Sequence, residues 1–122
     1  MKKLLVCITV GIFLLASVSY ATSELRPIVK IMMHRLNLVQ SMVLELSINN
    51  FDSIKTLADA MSTQAKIVGD GAQPGPAQAL NYQLSESAKS LSDVAAKKDA
   101  QMVINKLGGM MGMCYACHST VR

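Results

Sequence analysis

Residues Cys114, Tyr115, Ala116, Cys117 and His118 spell C-x-x-C-H near the end of a 122-residue sequence. On a helix, two cysteines at this spacing stand about one turn apart, with the imidazole directly after the second. Two such thiols can add to the two vinyl groups on one edge of a porphyrin. The imidazole then lies under the macrocycle and ligates its iron. The pattern is the attachment sequence of a c-type haem. A chain that carries this group must offer it an apolar lining, which limits the folds available.

Composition favours helices. Aromatic residues are 4% of the chain, there is no Trp, and nine Met accompany many Ala, Leu and Ser. A sheet protein would want more β-branched and aromatic side chains. The formal charge of +4 includes Lys2 and Lys3. Without them, 10 Lys and Arg stand against 8 Asp and Glu, a balance of +2. Two haem propionates would bring that near zero. No basic run or aromatic–basic interleaving is present, so nucleic acid is not an expected partner.

Residues 1–21 read as a secretory signal. Lys2 and Lys3 form the positive start, residues 4–18 carry no charge, and Ser19, Tyr20 and Ala21 set small residues at −3 and −1. Cleavage is expected after Ala21, leaving 101 residues. The alternative is a retained anchor, for which the 15-residue apolar run is short. Cys7 should leave with the leader. The mature chain would then hold two cysteines, both in C-x-x-C-H. A disulfide between them would close a tiny loop and stabilise little, whereas thioether bonds use both. The expected location is the periplasm, with no membrane attachment after cleavage.

Four helices follow from the apolar spacing, at about 24–47, 51–68, 77–97 and 99–122. The first has Leu25, Ile28, Met32, Leu36, Val39, Val43 and Leu46 on one stripe, with Ser23 as cap and Pro27 in the first turns. Asn49 and Asn50 suit a turn or cap. The second carries Phe51, Ile54, Leu57, Ala58, Met61, Ala65 and Val68. Residues 69–76, with three Gly and two Pro, form the clearest loop. The third turns Leu80, Leu84, Ala88, Leu91, Val94 and Ala95 inward. Its serines (Ser85, Ser87, Ser90, Ser92) lower helix propensity, so it depends on packing. The fourth has the most regular stripe: Ala100, Val103, Leu107, Met110, Cys114, Cys117 and Val121, stepping by three and four. Both cysteines lie on that stripe, and His118 is about 40° from Cys114. The expected fold is all-α, an antiparallel up-down four-helix bundle with a covalently bound haem in its core.

Other uses of C-x-x-C fit less well. A thioredoxin-type site needs the motif at a helix start after a strand. A zinc site needs four ligands, and beyond Cys114, Cys117 and His118 the mature chain offers only His34 among the remaining His and Cys. In the common small cytochrome fold the motif comes early and a Met ligand much later, whereas here four residues follow His118.

A helical bundle with C-x-x-C-H in its last helix resembles the class II c-type cytochromes, namely cytochrome c′ and its low-spin Met/His-ligated relatives. The resemblance covers the mature chain in architecture. In sequence it rests on Cys114-Tyr115-Ala116-Cys117-His118 and on Arg122, which matches the basic residue the family commonly has four positions after the His. Val121 stands where the family commonly has an aromatic residue. The resemblance implies that Arg122 lies by the proximal imidazole or a propionate; the plainer reading is a cation suited to a helix C-terminus.

The family also frames the sixth iron position. Its low-spin members supply a Met from the first helix, and cytochrome c′ leaves the position empty. Met32 is at the centre of the expected inward stripe, Met33 lies about 100° away and His34 about 160° away, among polar residues. Met32 is the expected distal ligand, with core packing as the alternative and Met33 third. Met110, Met111 and Met113 share the motif's helix and are poor sixth ligands. Gly108, Gly109 and Gly112 fit either close approach of a neighbouring helix or local loosening.

The expected function is mono-haem electron transfer: haem c on Cys114 and Cys117, His118 proximal, Met32 distal. A transient redox partner is implied and no enzyme activity. The alternative is a five-coordinate protein that binds nitric oxide or carbon monoxide. A third possibility is a helical binding module with an incidental motif. Homodimerisation through the first two helices would follow from the resemblance, with Leu38 and Leu44 facing outward.

Overall fold

The computed structural model describes residues 26–120. The expected leader and its cleavage point, Cys7, Ser23, Leu25, Val121 and Arg122 lie outside the described residues. Among the described residues the chain is all-helical, with four α-helices and no strand: α1 Pro27–Ser47, α2 Phe51–Gly71, α3 Pro76–Ala95 and α4 Ala100–Thr120. None of these helices is long and apolar enough to cross a membrane.

The boundaries have local causes. Pro27 and Pro76 open α1 and α3, where a missing N–H is harmless. After α1, Asn49 takes the left-handed conformation at φ 57°. Its N–H donates to Leu46 O at 3.1 Å, and Asn50 N–H donates to Glu45 O at 2.9 Å. This pair of reversed bonds is a Schellman closure, with Asn in place of Gly. Asn50 also caps α2, its Oδ1 accepting from Ser53 N–H at 3.3 Å. Asp99 caps α4 in the same way, its Oδ1 accepting from Met102 N–H at 3.0 Å.

The loop expected at 69–76 is shorter than composition suggests, because α2 runs on to Gly71. Tertiary contacts hold the extra turn. Asp70 accepts from Lys66 Nζ at 2.9 Å and from the Tyr82 hydroxyl at 3.0 Å. Gln78 Nε2 donates to Gly69 O at 3.3 Å. Gly69 is buried, and a Cβ there would stand 2.9 Å from the Tyr82 ring. Close approach of α2 and α3 therefore requires glycine at this point.

The core is one apolar cluster to which all four helices contribute. The α2 and α3 backbones approach closely along their stripes, and α3 also packs on α4. Ala58, Ala65 and Ala88 are among the fully buried side chains. Between α2 and α3, Ser85 Oγ donates to Ser62 O at 2.9 Å, so the low helix propensity of a serine is offset by a bond across the interface.

Helix α1 differs from its expected orientation. The compact unit that holds the motif begins within it, at Met32. Its buried residues are Arg35, Leu38 and Met42. Leu36 and Val43, expected inside, are 50% and 49% exposed. Leu38, expected outside, is 7% exposed, while Leu44 does face solvent. Met32 therefore sits at the edge of the inward face, half-buried.

Gly108, Gly109 and Gly112 are exposed, and a Cβ at any of them meets nothing within 4 Å. Among the described residues no helix approaches them closely. Each Ala replacement there should stabilise the fold by about 0.5–1 kcal/mol. Gly69→Ala should destabilise it by about 1–3 kcal/mol, because the Tyr82 ring must move and release Asp70. Urea melts of the four variants check both signs.

Candidate functional site

Helix α4 carries the motif on the stripe the spacing predicts. Val103, Leu107 and Met110 are buried, and Met113 packs against the core at its margin. One turn on, Cys114 and Cys117 are half-buried and both are free thiols. Cys114 Sγ makes only a weak contact, 3.8 Å from Met110 O. His118 is exposed. The apolar core thus ends just before the motif, leaving two thiols and an imidazole on the last turns of α4.

Three residues that the spacing alone did not single out define this end of the fold. Arg35 is 8% exposed. Its Nε donates to Gln64 Oε1 on α2 at 2.8 Å, and its Nη2 donates to Asn81 Oδ1 on α3 at 2.6 Å. Asn81 is itself buried, and its Nδ2 donates to Ala77 O at 2.7 Å. Both partners of the guanidinium are neutral amides. The ion pairs among the described residues are Lys55–Asp59, Lys66–Asp70, Lys89–Asp93 and Lys98–Asp52, and Arg35 belongs to none.

Arg35 lies within electrostatic reach of the motif. Burial pushes its pKa below the ordinary value, and the Cys117 and Cys114 thiols, when ionised, oppose that shift. Burial likewise pushes the Cys114 thiol up, and the Arg35 charge opposes it. Both shifts have desolvation as their largest cause. Asn81 stands 14 residues before the end of α3 at Ala95 and Cys114 stands 14 residues after the start of α4 at Ala100, so the packing of α3 on α4 and the Arg35–Asn81 bond set Arg35 at the level of the cysteines. Met32 is one turn earlier on α1, roughly 4.5 Å along the axis.

The other candidates separate by exposure. Met33 is 49% exposed and His34 is on the surface. Met110 is fully buried in the core and Met111 faces out. Tyr115 is 79% exposed, and Tyr82 is committed to Asp70, which raises its phenol pKa through that hydrogen bond. Among the described residues no three of His, Cys, Asp and Glu converge as a metal-binding group. An ion held by His118 would need its remaining ligands from elsewhere, which a porphyrin supplies.

The sequence did contain a signal for Asn81. It stands three and seven residues before Leu84 and Ala88, a stripe position where a polar residue is expected to need a partner. Arg35 lies off the stripe expected for α1, and its face becomes an inward one only with Leu38 and Met42.

No family model, curated protein or solved structure matches the chain.

Proposed function

We propose that the chain is a mono-haem c-type cytochrome that carries electrons in the periplasm, with the haem at the motif end of an up-down four-helix bundle. The observation that carries this reading is the pair of free, half-buried thiols of Cys114 and Cys117, followed by an exposed imidazole where the apolar core stops. Cys114 and Cys117 would form the two thioethers, and His118 would ligate the iron on the proximal side. The haem supplies reversible one-electron chemistry at iron when bound.

The remaining roles belong to the protein. Met32 is the proposed distal ligand, because it is half-buried and one turn from Arg35, which stands near both cysteines. A neutral thioether there favours the reduced form. The apolar cluster ending at Met110 and Met113 would give a haem held by Cys114 and Cys117 a dry lining. No acid–base step is assigned to any side chain, and the electron is exchanged with a transient protein partner.

The absorption spectrum of the purified ferric protein tests the axial assignment. Wild-type protein should be low-spin and six-coordinate, and Met32→Ala should turn it high-spin. A high-spin wild type would instead favour five-coordinate iron open to nitric oxide or carbon monoxide. A low-spin spectrum unchanged by Met32→Ala would move the ligand to another residue.

A further inference from the structure

The guanidinium of Arg35 is a buried cation with no carboxylate partner among the described residues, fixed from two sides by Gln64 and Asn81. Burying an arginine costs free energy, and a cation held only by neutral amides keeps its full charge. Replacing it with an apolar side chain would relieve that cost, so packing alone does not account for it. Its placement does suggest a use: Arg35 is bonded to Asn81, which the packed α3–α4 pair sets level with Cys114, and its charge acts on both thiols.

We propose that Arg35, held in place by Gln64 and Asn81, is a fixed positive charge at the thioether edge of the haem that raises the reduction potential of the site. This rests on the haem reading given above. The thioether edge follows from chemistry, since the cysteines at whose level Arg35 stands are the residues that would bond the vinyl groups.

The redox step is a one-electron reduction of ferric to ferrous iron. The electron comes from dithionite in the titration or from the partner protein in use. No proton is required, and the charge of the centre falls by one. A nearby cation favours the less positive state. At an effective dielectric near 20, a unit charge on the order of 10 Å away changes such an equilibrium roughly tenfold. Gln64 and Asn81 are positioning residues: they hold the charge and do not touch the iron.

The test is a potentiometric titration of the full chain produced with haem-maturation machinery. Arg35→Gln should raise the ferric-to-ferrous ratio at fixed ambient potential roughly tenfold, a fall of about 59 mV in midpoint. Gln64→Glu sets a carboxylate against Arg35 Nε while preserving side-chain shape, and should shift the midpoint in the same direction. It supplies the measurement if Arg35→Gln does not fold. Arg35→Lys keeps the charge and should remain within threefold of wild type. A haem-loaded protein whose midpoint ignores both Arg35→Gln and Gln64→Glu overturns this inference alone. A wild-type chain that carries no covalent haem overturns the haem reading and this inference together.

Discussion

The chain with Cys114→Ala and Cys117→Ala, produced beside the parent with haem-maturation machinery, is expected to run colourless on a denaturing gel, where the parent retains haem stain. The effect is all-or-none because only a covalent bond survives denaturation. Both thiols are free and half-buried, and no disulfide competes for them among the described residues. Either single Ala variant retains one thiol and should keep a weaker stain. The double variant should also melt at lower temperature than the haem-loaded parent, since a group bound only by the folded state stabilises that state. A parent that gives no stain, with its helices intact by circular dichroism, would leave the thiols without the role assigned to them and favour a helical binding module.

The second large effect is one of stability. Asn81→Leu should cost about 2–3 kcal/mol, because it removes the Nη2 partner of a buried guanidinium and leaves the charge under-bonded. For a domain of this size the melting temperature should drop by roughly 10–20 °C. The asymmetry is the telling part. Arg35→Met in the Asn81→Leu background removes the orphaned charge along with its lost partner, and should recover most of the stability. If Asn81→Leu alone costs less than about 0.5 kcal/mol, the guanidinium is finding water, and its burial is shallower than 8% exposure implies.

How much of this was legible depended on the contrast each helix carried. In α2, α3 and α4, apolar residues alternate with charged or amide ones, and their stripes match the buried set: Ile54, Ala58, Met61 and Ala65; Leu84, Ala88 and Leu91; Val103, Leu107 and Met110. The cap at Asn50 was legible for a different reason. A short side chain that bonds its own backbone nearby acts over three residues and needs no tertiary help. The extension of α2 to Gly71 was not legible, because three glycines and two prolines signal a break, and Tyr82 and Gln78 on another helix override it.

Helix α1 shows where periodicity stops being informative. Its apolar residues include Met32, Met33, Leu36, Leu38, Val39, Met42, Val43 and Leu44, which surround most of the helix. Two stripes of similar quality exist, and hydrophobic patterning does not rank them. The face that is buried contains an arginine, which patterning would reject.

The sequence by itself determined the four helices, the two cysteines on one stripe of α4, and the chemistry that C-x-x-C-H can perform. These depend on contacts within one helix or one turn, where spacing is geometry. The tertiary structure alone decided which way α1 turns, and with it that Met32 sits at an edge and Arg35 near the cysteines. That choice depends on Gln64 and Asn81, 29 and 46 residues away from Arg35. A buried charge becomes affordable only when distant partners are brought to it, and no local pattern records their arrival.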